Sequence, residues 1–344
     1  MRGKLVISLK AIQENYKFLQ QNTAGNCAAV IKADAYGLGM APIAKALSEQ
    51  GAKEFFVALA EEGAALRQIL PEATIYILNG ILPGEQVLFL SHNLIPVLNN
   101  PAQKTEWLND KPCALHVDTG LNRLGFNAND FDYFDGLNVQ LVMSHLACAD
   151  TPDNQINQQQ RARFITAANK YPLARKSLAA SDGIFCGPNF HFDLVRPGAA
   201  LYGLNPTPNS QNPMQSVIQL SVPVLQIRTI EQEGFVGYAA TCRVNPGQRL
   251  ATISLGYADG FFRSLSNQAQ LYYKGTVLPV LGRVSMDVVT VDISALPENA
   301  LNPGDMVDVF GPHQTPDELA KAAGTIGYEV LTSLGSRFER VYTS

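Results

Sequence analysis

The sequence predicts an α/β protein with two parts, an N-terminal (β/α)8 barrel of the TIM type and a C-terminal domain rich in β-strands. Three observations predict it. From residue 28 to about 203, short Val/Ile/Leu-rich runs alternate with longer amphipathic segments, the pattern of parallel strands joined by crossover helices. Eight such runs in under two hundred residues favour a closed barrel over an open doubly wound sheet. Residues 205–215 then read Asn-Pro-Thr-Pro-Asn-Ser-Gln-Asn-Pro-Met-Gln, which denies both helix and ladder hydrogen bonds, and beyond this break the pattern turns to β.

The eight barrel strands are placed at 28–32, 54–58, 74–78, 94–98, 113–117, 141–145, 177–180 and 194–201. Helical spacing fills the intervals, as where the polar run 157–161 leads into Phe164, Ala167 and Ala168. After the break, strands are expected at 216–229, 236–244, 249–255, 270–273, 277–291 and 306–310, with helix confined to a short piece near 316–323. The alternating Leu5-Val6-Ile7-Ser8-Leu9 predicts a strand lent to the second domain. The expected division is therefore 1–9 with the β domain, 10–212 as barrel and 213–344 as β domain.

A chain of 344 residues, 46% hydrophobic and 16% charged, can bury a large core. Its net charge of -4 provides no basic field, which argues against nucleic acid and anionic membranes as partners and leaves small-molecule chemistry. No run of eighteen apolar residues occurs, and Met1 leads into a strand pattern rather than a signal-peptide core, so a cytoplasmic protein is expected. Cys27, Cys113, Cys148, Cys186 and Cys242 are widely spaced and odd in number, which reads as reduced thiols rather than a metal site.

Barrel enzymes carry their chemistry at the carboxyl ends of the strands. Here Lys32 ends the first run, Arg123 follows the fifth in Asp118-Thr119-Gly120-Leu121-Asn122-Arg123, His145 ends the sixth, Ser181 follows the seventh, and Arg196 and Gly198 lie in the eighth. Desolvation lowers the pKa of a lysine ending an apolar strand and makes it a nucleophile toward carbonyls, although such a lysine can also reach past the rim to solvent. Ser181 and Gly198 occupy the usual barrel phosphate cradle, where small residues let backbone amides approach an anion; either alone reads equally well as a turn residue. With a strand-end lysine they describe pyridoxal 5'-phosphate, its aldehyde toward Lys32 and its phosphate toward the far wall.

Val30-Ile31-Lys32-Ala33-Asp34-Ala35-Tyr36-Gly37 resembles the cofactor-lysine motif of the alanine racemase family, pyridoxal-phosphate enzymes of fold type III. The likeness recurs along nearly the whole chain. Arg196-Pro197-Gly198-Ala199-Ala200-Leu201-Tyr202-Gly203 is similar to the family's pyridine-facing arginine segment, Val236-Gly237-Tyr238-Ala239-Ala240-Thr241 to that of its catalytic tyrosine, and Leu255-Gly256-Tyr257-Ala258-Asp259-Gly260 to its substrate-entry tyrosine. Gly282-Arg283-Val284-Ser285-Met286-Asp287 and Thr325-Ile326-Gly327-Tyr328-Glu329 resemble two further signatures, in the family's order.

The resemblance implies that Lys32 and Tyr238 are the two bases that racemisation of alanine needs, one on each face of the α-carbon. It implies Arg196 at the pyridine nitrogen, where an always-protonated guanidinium leaves the ring nitrogen unprotonated and weakens the electron sink. His145 would support Tyr238 and the cofactor. Arg123 would bind near the cofactor's phenolic oxygen and the substrate carboxylate; Tyr36, Ser181, Gly198, Ala199 and Tyr328 would hold the phosphate; Met286 and Tyr257 would meet the substrate. Asp150, Arg263, Arg283 and Ile326, with Tyr257, would line an access corridor. Tyr238, Tyr257 and Met286 would come from the second subunit of a homodimer, and no metal is implied.

Four positions depart from the family's pattern. His116 stands where many relatives have a lysine whose carbamate orients the arginine, so Arg123 is expected to be held instead by His116, a bound anion or a nearby carboxylate. Leu38, Ala180 and Ser285 replace the family's histidine, asparagine and cysteine without removing an acid or base. Competing readings are a racemase of serine, lysine or broad specificity, a decarboxylase of the same fold, and a non-catalytic cofactor carrier. Arg196 argues against the decarboxylase, which pairs the pyridine nitrogen with an acid, and the additional domain carrying Tyr238 argues against the carrier.

Overall fold

The computed structural model describes residues 3–127 and 133–344; Met1 and Arg2, at the head of the expected 1–9 segment, lie outside the described residues. The chain divides into two compact units, residues 10–215 and residues 1–9 with 216–344. Strand β1 (Lys4–Ser8) opens the chain with Leu5 and Ile7 fully buried on one face, as its alternation requires. The helix Leu9–Gln21 follows at once, burying Ile12, Tyr16 and Leu19 at helical spacing.

Within residues 10–215 the strands are β2 (Asn26–Cys27), β3 (Ala29–Val30), β4 (Glu54–Val57), β5 (Thr74–Ile77), β6 (Ile95–Leu98), β7 (Pro112–His116), β8 (Asn138–Met143), β9 (Arg175–Ser177) and β10 (Leu194–Val195). Strands β3 to β9 pair in parallel in chain order. The short β10 closes the ring. On one side Arg196 donates its amide to Ala179 and Asp193 to Lys176. On the other, β10 pairs in parallel with β2, and Ala28 and Val30 donate to Val195 and Pro197. Strands β2 and β3 are thus two halves of the first barrel position, and the arrangement is an eight-position parallel barrel of the expected class.

Several expected boundaries move. The first barrel strand stops before Lys32, because Ala33, Asp34, Ala35 and Tyr36 all adopt φ between +53° and +57°, one turn of left-handed helix. The eighth strand ends at Val195 rather than 201, since Ala199–Tyr202 winds into a 3-10 turn capped by Gly203. His145 sits two residues beyond β8, and Ser181 opens the short helix Ser181–Ile184.

In the β unit, the strands are β11 (Ile218–Thr229), β12 (Gly234–Val236), β13 (Cys242–Val244), β14 (Arg249–Ile253), β15 (Gln270–Tyr273), β16 (Thr276–Leu281), β17 (Val289–Asp292), β18 (Met306–Phe310) and β19 (Glu339–Thr343). The twelve-residue β11 shifts register at residues 220–221 against β18 and at 224–226 against β14, bending enough to pair with β18, β14 and β1. Six strands thereby close in the order β11-β14-β17-β16-β15-β18 around Val222, Ile253, Leu271, Leu278 and Val291. The segments expected as single strands at 236–244 and 277–291 are each interrupted, the first by a hairpin tip at Tyr238–Ala240 and the second by a loop from Gly282, where φ is +75°. Helix is not confined to Pro316–Ala323, because Gly327–Thr332 forms a second short helix. Among the described residues no helix is long and apolar enough to cross a membrane, and no cluster of metal-ligating side chains occurs.

Candidate active site

At the rim of the barrel, the left-handed turn after Lys32 is held from two sides. One Glu62 carboxylate oxygen accepts the Ala33 amide at 2.6 Å while the other accepts those of Ala58 and Leu59, and Asp34 accepts the Met40 amide at 2.6 Å. Burial, and secondarily the Arg123 guanidinium, lowers the Lys32 pKa against the opposing influence of Glu62, which favours the neutral, nucleophilic amine.

The turn delivers Tyr36 into the barrel wall. Its ring packs on Tyr202 with centroids 4.6 Å apart, and the Tyr202 hydroxyl donates to Val30 two residues before Lys32. Burial and Asp182 raise the Tyr36 pKa, so its hydroxyl remains a protonated donor. Ser181 Oγ accepts the amides of Gly198 and Ala200 at 3.0 and 3.1 Å, drawing the 198–200 turn against the Ser181–Ile184 helix. A Cβ on Gly198 would lie 2.3 Å from the Tyr36 hydroxyl, so only glycine fits between them. Tyr36, Ser181, Gly198 and Ala199 are therefore brought together as one small-residue cradle, which fits a phosphate.

Arg196 crosses the barrel interior. It is 3% exposed, donates Nη1 to Ser177 Oγ at 2.5 Å and Nη2 to the Ser144 carbonyl at 2.6 Å, and has no carboxylate partner among the described residues. Burial pushes its guanidinium down to about 9, still protonated at neutral pH. A protonated guanidinium held only by neutral acceptors suits a ring nitrogen with a free lone pair. His145 is driven to about 3, by burial first and then by Arg196, Arg123, His116 and Lys32, and so stays neutral.

Arg123 rides a loop shaped by Asp118, whose Oδ1 accepts the amides of Gly120, Leu121 and Asn122. Of the expected partners, neither His116 nor any carboxylate among the described residues bonds it: Arg123 is exposed and has no hydrogen bond or ion pair among those residues. His116 instead turns Nδ1 to Asn99 Oδ1 at 2.8 Å, and Asn99 Nδ2 is spent on Leu78 and Val97 carbonyls, which makes Nδ1 the donor. Burial, then Arg196 and Arg123, lowers His116 to about 4. A neutral His116 adds no third positive charge beside the two arginines. Glu62, Ser177, Ser144 and Asn99 escaped the sequence reading because each is an ordinary polar residue whose importance lies in the neighbour it holds.

Asp150 lies exposed in the loop beyond His145. The remaining expected residues belong to the β unit and form a set of linked turns. Tyr238 tips the β12–β13 hairpin and is 72% exposed. A Cβ on Gly237 would approach the Arg283 amide to 3.3 Å, and one on Gly282 would meet the Val236 carbonyl at 2.7 Å, so hairpin and loop are in close contact. Tyr257 and Ala258 donate their amides to Ser285 and Met286 at 3.0 Å each, and Ser266, in the turn after Arg263, accepts the Val284 amide. Tyr257 and Met286 are exposed, as is Ile326, which precedes the half-buried Tyr328.

A rim lysine of lowered pKa, a phosphate-sized cradle and a buried guanidinium lacking a carboxylate define the class: a pyridoxal-phosphate enzyme built on a barrel with an accompanying β domain. The profile described as "Alanine racemase, N-terminal domain" matches residues 7–206, and that described as "Alanine racemase, C-terminal domain" matches residues 217–342. A catabolic alanine racemase of Mesorhizobium japonicum is 47% identical, with 98% of this chain and 92% of the relative covered, and an alanine racemase of Acidiphilium cryptum is 46% identical, with 99% and 98% covered. The crystal structure of alanine racemase from Bartonella henselae, with covalently bound pyridoxal phosphate, superposes with a TM-score of 0.95 at 36% identity and covers both chains fully. This chain belongs to the alanine racemase family.

Proposed function

We propose that the protein interconverts L- and D-alanine, with Lys32 Nζ and Tyr238 Oη as the opposed bases. The observation that carries the reading is Arg196, a buried guanidinium held by Ser177 and Ser144 where a decarboxylase of this fold would need an acid. Pyridoxal phosphate, when bound, supplies the electron sink that makes the α-hydrogen of an amino acid removable. The chain's own residues do the rest. Tyr36, Ser181, Gly198, Ala199 and Tyr328 would hold the phosphate, Arg196 would face the ring nitrogen, and Arg123 would take the substrate carboxylate in its planar fork. Lys32, its pKa lowered by burial, removes or returns the proton on one face. Tyr238 would serve the other face, and His145, kept neutral by burial, would support it with a hydrogen bond without adding charge.

The exposure of Tyr238, Tyr257 and Met286 supports a homodimer in which each β domain completes the partner's site. In this reading Asp150, Arg263, Arg283 and Ile326 line the approach, and D-alanine is made or consumed in the cytoplasm, for peptidoglycan or in alanine catabolism. The test is loss of optical activity from L-alanine, L-serine and L-lysine incubated with holoenzyme. Alanine is expected to racemise fastest; equal rates on all three would replace the reading with a racemase of broad specificity.

A further inference from the structure

Three segments of the β unit converge on one guanidinium. Arg337 donates Nε to Asp259 Oδ1 and Nη1 to Asp287 Oδ1, both at 2.6 Å. Asp259 is buried, and its other oxygen accepts the Gly256 amide at 2.9 Å, closing the turn that carries Tyr257. Asp287 adjoins Met286. The Tyr257 turn and the Met286 loop are already in backbone contact, with no room for a side chain on Gly256, whose Cβ would lie 2.2 Å from the Met286 carbonyl. Arg337 itself is anchored: Gly335 donates its amide to Asp259, Phe338 is buried, and Glu339 begins β19, paired with β1.

We propose that Arg337 is a positioning residue that fixes Tyr257 and Met286 relative to one another and so sets the width available to the substrate side chain. The proposal rests on the reading that these two residues meet the substrate. Arg337 and Asp287 are both about half exposed, and an ion pair of that kind contributes little to stability, so the contribution of the Arg337–Asp287 link lies in geometry. A planar fork reaches two carboxylates through two separate nitrogens; a lysine ammonium is a single point charge and keeps the buried Asp259 as its partner at the expense of Asp287.

The test compares Arg337→Lys, Asp287→Asn, the double variant and Met286→Ala as purified holoenzymes. Arg337→Lys and Asp287→Asn are each expected to raise KM for alanine by about threefold to tenfold with kcat within about twofold, and to narrow the preference for alanine over serine. Melting temperature and the visible absorption of bound cofactor should stay near those of the parent. The double variant should be no worse than either single, because both cut the same link. Additive effects in the double variant, or a fall in melting temperature with KM unchanged, overturn the proposal. Should Arg337→Lys fail to fold, Asp287→Asn, altering a largely exposed carboxylate, probes the same link from its other end. An unchanged KM in Met286→Ala overturns the underlying placement of Met286 and the proposal with it; a raised KM there alongside unchanged values in the other variants overturns Arg337 alone.

Discussion

The residues of the proposed site are of two kinds, those of the barrel and those of the β-domain turns. At the rim, Arg196, Ser181, Gly198 and Tyr36 are buried, and their hydrogen bonds, packing and altered acidities arise inside residues 10–215. In the β unit, Tyr238, Tyr257 and Met286 are exposed, and it is their backbones that are fixed, by Ser285, Met286 and tight glycine contacts. The first kind is tuned where it stands; the second is aimed but awaits its surroundings. Burial sets the protonation state of Lys32 and His145, while a rigid turn sets only direction.

Breaking each half should have a different signature. Lys32→Ala should remove the covalent cofactor attachment and lower racemisation on the order of 10⁴-fold or more. Tyr238→Phe should lower it by roughly 10²–10⁴-fold while leaving cofactor absorption intact. In the proposed homodimer, mixing and refolding the two inactive variants together should restore activity, because one site of the mixed dimer would then have Lys32 from one protomer and Tyr238 from its partner. No recovery would place both bases in a single protomer.

A smaller effect is expected at the cradle. Gly198→Ala puts a methyl group 2.3 Å from a Tyr36 hydroxyl whose ring is held by Tyr202, with Val30 Cβ 3.3 Å away on the other side. Overpacking of this kind costs about 1–3 kcal/mol and should weaken cofactor retention by roughly tenfold. Equilibrium dialysis against the cofactor measures it, and parental affinity would show that Tyr36 yields.

The last effect concerns acid and acts on stability rather than turnover. His116 titrates near 4 in the folded chain against 6.5 in the unfolded one, so the unfolded state binds the proton first as pH falls. Its contribution is complete above pH 6.5 and is lost between there and about 4, on the order of 3 kcal/mol in all. Denaturant titrations at pH 7.5 and 4.5 should show His116→Gln less stable than the parent at the higher pH but less sensitive to acid. Equal acid sensitivity would reassign the loss to His145 or other groups.

Much of this organisation was legible in the sequence. Alternating apolar runs placed the barrel strands because each is buried on both faces, and the Pro/Asn-rich stretch near 205–215 marked where parallel pairing stops. Lys32, Ser181, Arg196 and Gly198 stood out in the sequence because they fall at or just beyond the close of apolar runs, where a barrel places its chemistry. What was not legible depends on long-range or backbone detail. The left-handed turn at Ala33–Tyr36 runs against the intrinsic preference of every residue in it, and no periodicity announces it. The hairpin tip at Tyr238 and the break at Gly282 interrupt runs that read as continuous strand. The partner expected for Arg123 was a matter of side-chain placement, which residue types alone do not fix.

That left-handed turn ties catalytic placement to the thermodynamics of the whole barrel. Four residues with side chains held at positive φ cost about 1–2 kcal/mol each, or roughly 4–8 kcal/mol together. The net stability of an entire domain is only about 5–15 kcal/mol. In the unfolded chain the four residues return to their preferred basin, and Glu62, Asp34, the Tyr36–Tyr202 pair and the turn's own backbone hydrogen bonds oppose that return. Weakening any of these holds therefore acts on the folding equilibrium of the barrel as well as on the aim of one hydroxyl.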